Sequence, residues 1–263
     1  MYSQIKGIRL VTGYACNYRC SFCYQDTYRG QWISRAELHA KLTNLPVPDS
    51  QIEYVTVMGG EAMCDPDAID KLAYIAQRFK GKKLSLTTNG SGGFINDFYG
   101  AYKKYTEVMN LGYHLSISIP SAIPSEYSEM VGKDIQFSEL MWLITQLNDD
   151  VDKIRINTYL HKNWWSTLLL AKQLGTEYTI CCELREEKQA AFDDFTHLVN
   201  GFGILGNTPE IVRQTACETV YKDRDGFEFW LYKFVPGPGE DNLIVVPSHL
   251  LSDPNGLKRG IMW

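Results

Sequence analysis

Apolar positions recur with two periods along the 263-residue chain, and the two periods alternate. Short runs rich in Val, Ile, Leu, Tyr and Thr at 7–14, 52–58, 83–88, 113–119, 153–160 and 177–183 predict buried strands. Between them, 34–44, 67–79, 94–106, 136–148 and 164–174 read as helices. The second of these follows Asp65-Pro66-Asp67 and carries Ile69, Leu72, Ala73, Ile75, Ala76 and Phe79 near helical spacing. The first opens on Ser34 with Glu37 three residues on, the pattern of a capping box. The fifth runs into Gly175, a residue suited to a left-handed helix end. Six strand–helix alternations predict parallel strands with right-handed crossovers. Six is short of a full eight-fold barrel, so residues 1–186 are expected to form an open partial (βα)6 barrel, TIM-like, with ligands at the C-terminal strand ends.

Beyond residue 186 the texture changes. Residues 187–200 read as a helix, 201–216 as a loop, and 226–235 and 243–246 as strands, with the stiff turn Pro236-Gly237-Pro238-Gly239 between the strands. Residues 187–263 are therefore expected to be a C-terminal extension, with a small antiparallel β appendage over 217–263 that closes the barrel mouth. Apolar residues make up 44% and charged residues 22%, the balance of an ordinary globular α/β protein. The net charge of −5 argues against a broad basic surface for duplex nucleic acid, although local lysines leave room for a nucleotide or a polymer end. No apolar run reaches eighteen residues and the start lacks a signal-peptide pattern, so a cytoplasmic protein without a membrane partner is expected.

The chemistry concentrates at strand ends. Cys16, Cys20 and Cys23 stand in Cys16-Asn17-Tyr18-Arg19-Cys20-Ser21-Phe22-Cys23, on the loop after the first strand. Closed zinc and iron–sulfur sites take four protein ligands. Three close thiolates suggest a cubane with one iron open to a small molecule. A zinc knuckle, or three unrelated buried cysteines, is the alternative reading of the spacing. The second strand ends in Met58-Gly59-Gly60-Glu61, where glycines permit close backbone approach. The third ends in Thr87-Thr88-Asn89-Gly90. Ser116 and Ser118 share one face of the fourth strand, as do Arg155 and Asn157 on the fifth.

The C-x3-C-x-aromatic-C spacing after strand one, followed by Gly-Gly-Glu after strand two, resembles the radical S-adenosylmethionine (radical SAM) superfamily, of the type with a single cluster. The resemblance implies one [4Fe–4S] cluster on Cys16, Cys20 and Cys23, whose open iron binds the amino and carboxylate groups of S-adenosyl-L-methionine (SAM). It implies reductive cleavage of SAM to a 5′-deoxyadenosyl radical that takes a hydrogen atom from a substrate. It also implies SAM contacts from Gly59, Gly60, Glu61, Asn89, Ser116, Ser118, Arg155 and Asn157. Ala62 stands where the family usually has proline. Arg155 reads as a buried arginine in need of an anionic partner.

Cys64 and Cys182, at strand ends, are candidate catalytic hydrogen donors to a product radical. Cys181 and Cys217 read as buried apolar residues. Only Cys217 lies in the tail, which argues against an auxiliary cluster. Tyr24, Tyr28 and Trp32 could screen the cluster from water. Radical chemistry of this kind needs an external electron donor such as flavodoxin or ferredoxin. The expected substrate is a small molecule, nucleobase or nucleotide, in modified-base biosynthesis of the kind found in phage DNA hypermodification. A peptide-modifying maturase and a non-catalytic iron–sulfur or zinc module are the competing readings.

Overall fold

The computed structural model describes residues 5–23, 30–150, 154–183, 190–206, 208–215, 218–234, 242–250 and 261–262. Six strands arise where the apolar runs predict them: β1 (Gly7–Val11), β2 (Tyr54–Met58), β3 (Lys83–Thr88), β4 (Tyr113–Ser118), β5 (Ile154–Tyr159) and β6 (Glu177–Glu183). They pair in chain order, all parallel. Helices α1 (Arg35–Thr43), α2 (Ala68–Arg78) and α3 (Phe98–Asn110) join the first strands. After β4 come α4 (Pro124–Val131) and α5 (Phe137–Asp150), and then α6 (Trp164–Leu174) between β5 and β6. The Ser34 hydroxyl caps α1 by accepting from the Glu37 N–H at 3.1 Å. Gly175 ends α6 with φ +69°, the left-handed conformation glycine adopts without strain.

The two faces of each strand have different fates. Leu84, Leu86, Leu115, Ile117, Ile154, Ile156, Tyr178 and Ile180 are buried in the main core, beneath the helices. The alternate residues, such as Arg155, Asn157 and Tyr159, therefore face the other side of the sheet. That side is the lumen of a barrel, as one contact shows. The Arg9 guanidinium on β1 donates to the Tyr232 hydroxyl at 3.4 Å, yet Tyr232 lies on β9 (Glu228–Phe234), and five strands separate β1 from β9 in the sheet. Only a curled sheet brings those side chains together.

The C-terminal segment departs from the expected appendage in an instructive way. After α7 (Ala190–Ile204), β7 (Glu210–Gln214) and β8 (Glu218–Lys222) pair antiparallel with each other, and β8 pairs antiparallel with β9. That hairpin chain is the antiparallel part. β9, however, adds to β6 in parallel, and β10 (Asn242–Val245) adds to β1 in parallel, with β11 (Ile261–Met262) parallel beyond it. The six-stranded core is thus extended at both edges by the tail. The physical reason is edge pairing: β1 and β6 would otherwise expose unpaired backbone groups. β10 buries both faces. Leu243 and Val245 join the main core, while Ile244 and Val246 pack with Val11, Tyr14 and Met58 in a smaller cluster on the lumen side.

α4 was not foreseen, and α7 runs past the expected helix end at 200 while β7 occupies part of the expected loop. Among the described residues no helix is long and apolar enough to cross a membrane. Leu243→Ala is expected to lower stability by about 2–5 kcal/mol, the cost of a buried leucine truncation, in a single cooperative urea transition. An unchanged midpoint, or a separate early transition, would show that β10 is not part of the core.

Candidate active site

The cysteine loop leaves the C-terminal end of β1 and is fastened on three sides. Towards β2, the N–H of Thr12 donates to Met58 O at 2.9 Å, that of Gly60 to Gly13 O at 2.8 Å and that of Glu61 to Ala15 O at 2.8 Å. The glycines are required by this approach. A Cβ on Gly60 would lie 2.3 Å from Ala15 O, and one on Gly59 2.3 Å from Gly13 O. Towards α4, the N–H groups of Arg19 and Ser21 donate to Val131 O and Met130 O at 2.8 and 2.9 Å, capping carbonyls at a helix C-terminus. Gly132, with φ +62°, ends that helix, and a Cβ there would strike Arg19 O at 2.6 Å. Towards β3, the Asn17 amide donates to Ser91 Oγ at 2.9 Å and to Phe94 O at 2.7 Å. After the loop the chain returns beside β1 through a bridge between Gly13 and Trp32.

Glu61 is fully buried. Its carboxylate accepts from the Met63 N–H at 3.0 Å, from the Asn89 N–H at 2.7 Å, and from the Thr88 hydroxyl, which lies 2.9 and 2.8 Å from its two oxygens. Thr88 is held in turn by the Tyr105 hydroxyl of α3 at 2.6 Å and by the Gly90 N–H at 3.2 Å. The Gly92 N–H donates to Tyr105 at 2.9 Å. Burial lifts the Glu61 pKa above the usual carboxylate range, while the Asn89 and Met63 N–H groups and the Thr88 hydroxyl pull it back. Every partner is a donor, so the environment is built for the ionised form. The carboxylate is committed to tying the end of β2 to the end of β3. The Gly59 and Gly60 backbone is what this turn presents beside the cysteine loop.

Cys16, Cys20 and Cys23 are half-buried on that loop. The thiols of Cys16 and Cys20 are pushed up to about 11 and about 12, chiefly by burial, with charge on Glu61 and Cys23 adding to the first and charge on Cys16 and Cys23 to the second. Such thiols ionise when a cation stabilises them. Among the described residues no three Cys, His, Asp or Glu side chains converge on a point a single ion could fill. Three thiols on one loop are soft donors of the kind an iron–sulfur cluster takes.

Cys64 closes the short turn after Glu61. Its thiol is pushed up to about 12, chiefly by burial and then by charge on Glu61 and Cys16, and is drawn down by the Asn17 N–H. Cys182 pairs in register with Lys233 of β9, but its side chain lies outside the described residues, as do Tyr24, Tyr28 and Cys217.

Ser118 and Asn157 are register partners on β4 and β5, both half-buried and facing the lumen. Ser116 is buried on the same face. Arg155 is not buried. Its side chain is 44% exposed and pairs with Glu177 of the next strand at 2.6 Å, and its guanidinium lies 5.8 Å from the Trp230 ring centre. Alternation placed it on the correct face, but its carboxylate partner is on a neighbouring strand that β5 alone does not reveal. Tyr159 on the same face stacks with Phe22 of the cysteine loop, with ring centres 5.7 Å apart and planes 6° apart. Arg9, Asn17 and Tyr159 escaped the sequence reading. Arg9 had a signal: a lone arginine inside an otherwise apolar strand.

Comparison with known proteins agrees with this geometry. The family model described as the Radical SAM superfamily matches residues 10–199. Curated relatives include the GTP 3′,8-cyclase of Photorhabdus laumondii, 24% identical over 159 residues, covering 59% of this chain and 46% of that protein. The GTP 3′,8-cyclase of Shewanella denitrificans is 26% identical over 161 residues, covering 59% of this chain and 44% of that protein. The chain thus matches rather less than half the length of these relatives. Among solved structures, Streptococcus suis SuiB bound to S-adenosylmethionine aligns with a TM-score of 0.58 at 14% identity, over 78% of this chain and 49% of that one. TYW1 with a lysine–pyruvate adduct bound aligns with a TM-score of 0.55 at 12% identity, over 80% of this chain and 76% of that one. These likenesses establish the fold.

Glu61→Gln is expected to lower stability by about 1–3 kcal/mol, because one amide NH2 must face a buried donor. Urea unfolding measures the loss. An unchanged midpoint would contradict the network.

Proposed function

Because the chain belongs to the radical SAM superfamily, we propose that it uses a SAM-derived radical on an anionic, ring-bearing small molecule of the nucleotide class. Cys16, Cys20 and Cys23 would hold one [4Fe–4S] cluster, which, with an electron from a donor such as flavodoxin or ferredoxin, would supply the reductive chemistry that makes SAM a source of a hydrogen-abstracting radical. The chain's own residues do the rest. The Gly59–Gly60 backbone, Ser116, Ser118 and Asn157 line the place where SAM sits. Phe22 and Tyr159 form an aromatic wall beside it.

The observation that carries the substrate reading is the composition of the lumen. Arg9 lies against Tyr232, its guanidinium 5.8 Å from the ring centre, whereas Arg155, at the same distance from Trp230, has its charge held by Glu177. Guanidinium groups recognise phosphate by paired hydrogen bonds, and aromatic rings stack on bases. A nucleotide offers both partners. The curated relatives bear the name of an enzyme acting on GTP, which supports the same class. The apolar cluster that β10 builds with Val11, Tyr14 and Met58 closes one side of the lumen and helps to exclude water from a reactive intermediate.

The test is anaerobic reconstitution with iron and sulfide, followed by dithionite, SAM and a panel of ribose-deuterated nucleoside triphosphates. 5′-Deoxyadenosine is expected to form only while all three cysteines are present, and to acquire deuterium from one nucleotide. Arg9→Gln is expected to raise KM for that nucleotide about 10–100-fold, the worth of one charge-assisted hydrogen bond, while SAM cleavage without substrate persists. If no nucleotide transfers deuterium, or if Arg9→Gln leaves KM for the reacting nucleotide unchanged, the substrate reading fails.

A further inference from the structure

The Asn89 side chain is aimed at one sulfur of the cysteine loop. Its Nδ2 lies 3.8 Å from Cys16 Sγ and donates to Asn17 Oδ1 at 3.0 Å. Its Oδ1 accepts from the Ser91 N–H at 2.9 Å, and its own N–H is taken by Glu61. The amide is therefore oriented from both ends, with its NH2 toward the cysteines. Cys16 Sγ has a second N–H neighbour, the Tyr18 amide at 3.4 Å. Asn17 is fixed in turn by Ser91 and Phe94.

From this arrangement we infer that Asn89 is a positioning residue for cluster electronics. It donates a hydrogen bond to the Cys16 thiolate and thereby raises the reduction potential of the bound cluster. Reduction adds one electron from an external donor and makes the cluster–thiolate unit more negative. A donor on a cluster sulfur stabilises that more negative state and shifts the potential upward. SAM cleavage needs a reducing cluster that a cellular donor can still reduce, so the number of N–H donors at the sulfurs is a means of balance. The inference rests on the assignment of a cluster to Cys16, Cys20 and Cys23. It differs from a SAM-binding role for Asn89 in acting before SAM is bound.

The experiment is a redox titration of the reconstituted full chain without SAM, followed by the EPR signal of the reduced cluster. Asn89→Ala and Asn89→Asp are expected to lower the midpoint potential, by about 59 mV for a tenfold change in a one-electron equilibrium, with the aspartate at least as low as the alanine. Ser91→Ala removes an Asn17 contact in the same loop but leaves the Asn89–Cys16 pair, and is expected to retain the wild-type potential. Hyperfine spectroscopy of wild-type protein carrying asparagine labelled with 15N in the side chain is expected to detect a nitrogen coupled to the reduced cluster. This measurement stands even where the Asn89 variants assemble no cluster. A wild-type cluster without that coupling, Asn89 variants at the wild-type potential, or Ser91→Ala shifted as far as Asn89→Ala, each overturns the inference. A wild-type chain that assembles no cluster overturns the cluster assignment as well.

Discussion

The top of this barrel depends on one buried carboxylate. A charged group without exposed surface costs several kcal/mol unless it is fully hydrogen-bonded. Glu61 meets that condition only if β2, β3 and α3 hold fixed relative positions, because its donors come from Met63, Thr88 and Asn89 and the Thr88 hydroxyl is itself steered by Tyr105. The run from Gly92 N–H through Tyr105 and Thr88 to Glu61 is a file of oriented donors in a dry setting, where such bonds polarise one another. The glycines beside Glu61 can then accept the cysteine loop backbone to backbone. The same turn that satisfies the charge thus sets the height at which the three thiols stand above the barrel.

The rest of the architecture keeps that assembly enclosed. The tail strands complete both edges of the parallel core, so the sheet can curl until Arg9 meets Tyr232. α4 contributes the carbonyls that receive the far side of the cysteine loop, and its terminal glycine leaves room for Arg19. Polar residues on the lumen face of β4 and β5 remain available to a ligand because the apolar alternates are committed to the helices.

Most of the core was legible in the sequence for a physical reason. A parallel strand covered by helices has to be a short apolar run, and an intervening helix has to carry an apolar stripe, so both leave strong local patterns. The cysteine spacing and Gly59-Gly60-Glu61 were legible as well, since close backbone approach demands glycine. What was hidden was non-local. β9 and β10 read as strands, but their partners β6 and β1 are far away in sequence, so parallel edge addition was not visible. α4 has eight residues and opens on Pro124, too short to show a period. Arg155 read as buried because the alternation of β5 gives a face but not the openness of the lumen at that level. Glu61 was legible as the end of the Gly-Gly-Glu turn after β2, but the direction of its carboxylate is fixed by Thr88 and Tyr105, which no spacing rule connects to it.

In the proposed reading, the loops at the strand ends seat a cluster with three protein ligands, flanked by a backbone turn and two polar strand faces. The most direct measurement is EPR of the reduced, reconstituted protein with and without SAM. The account predicts one [4Fe–4S] signal per chain that is lost when Cys16, Cys20 and Cys23 are replaced, and that changes when SAM is added. A signal indifferent to SAM, or a chain that binds zinc in place of iron, would contradict it.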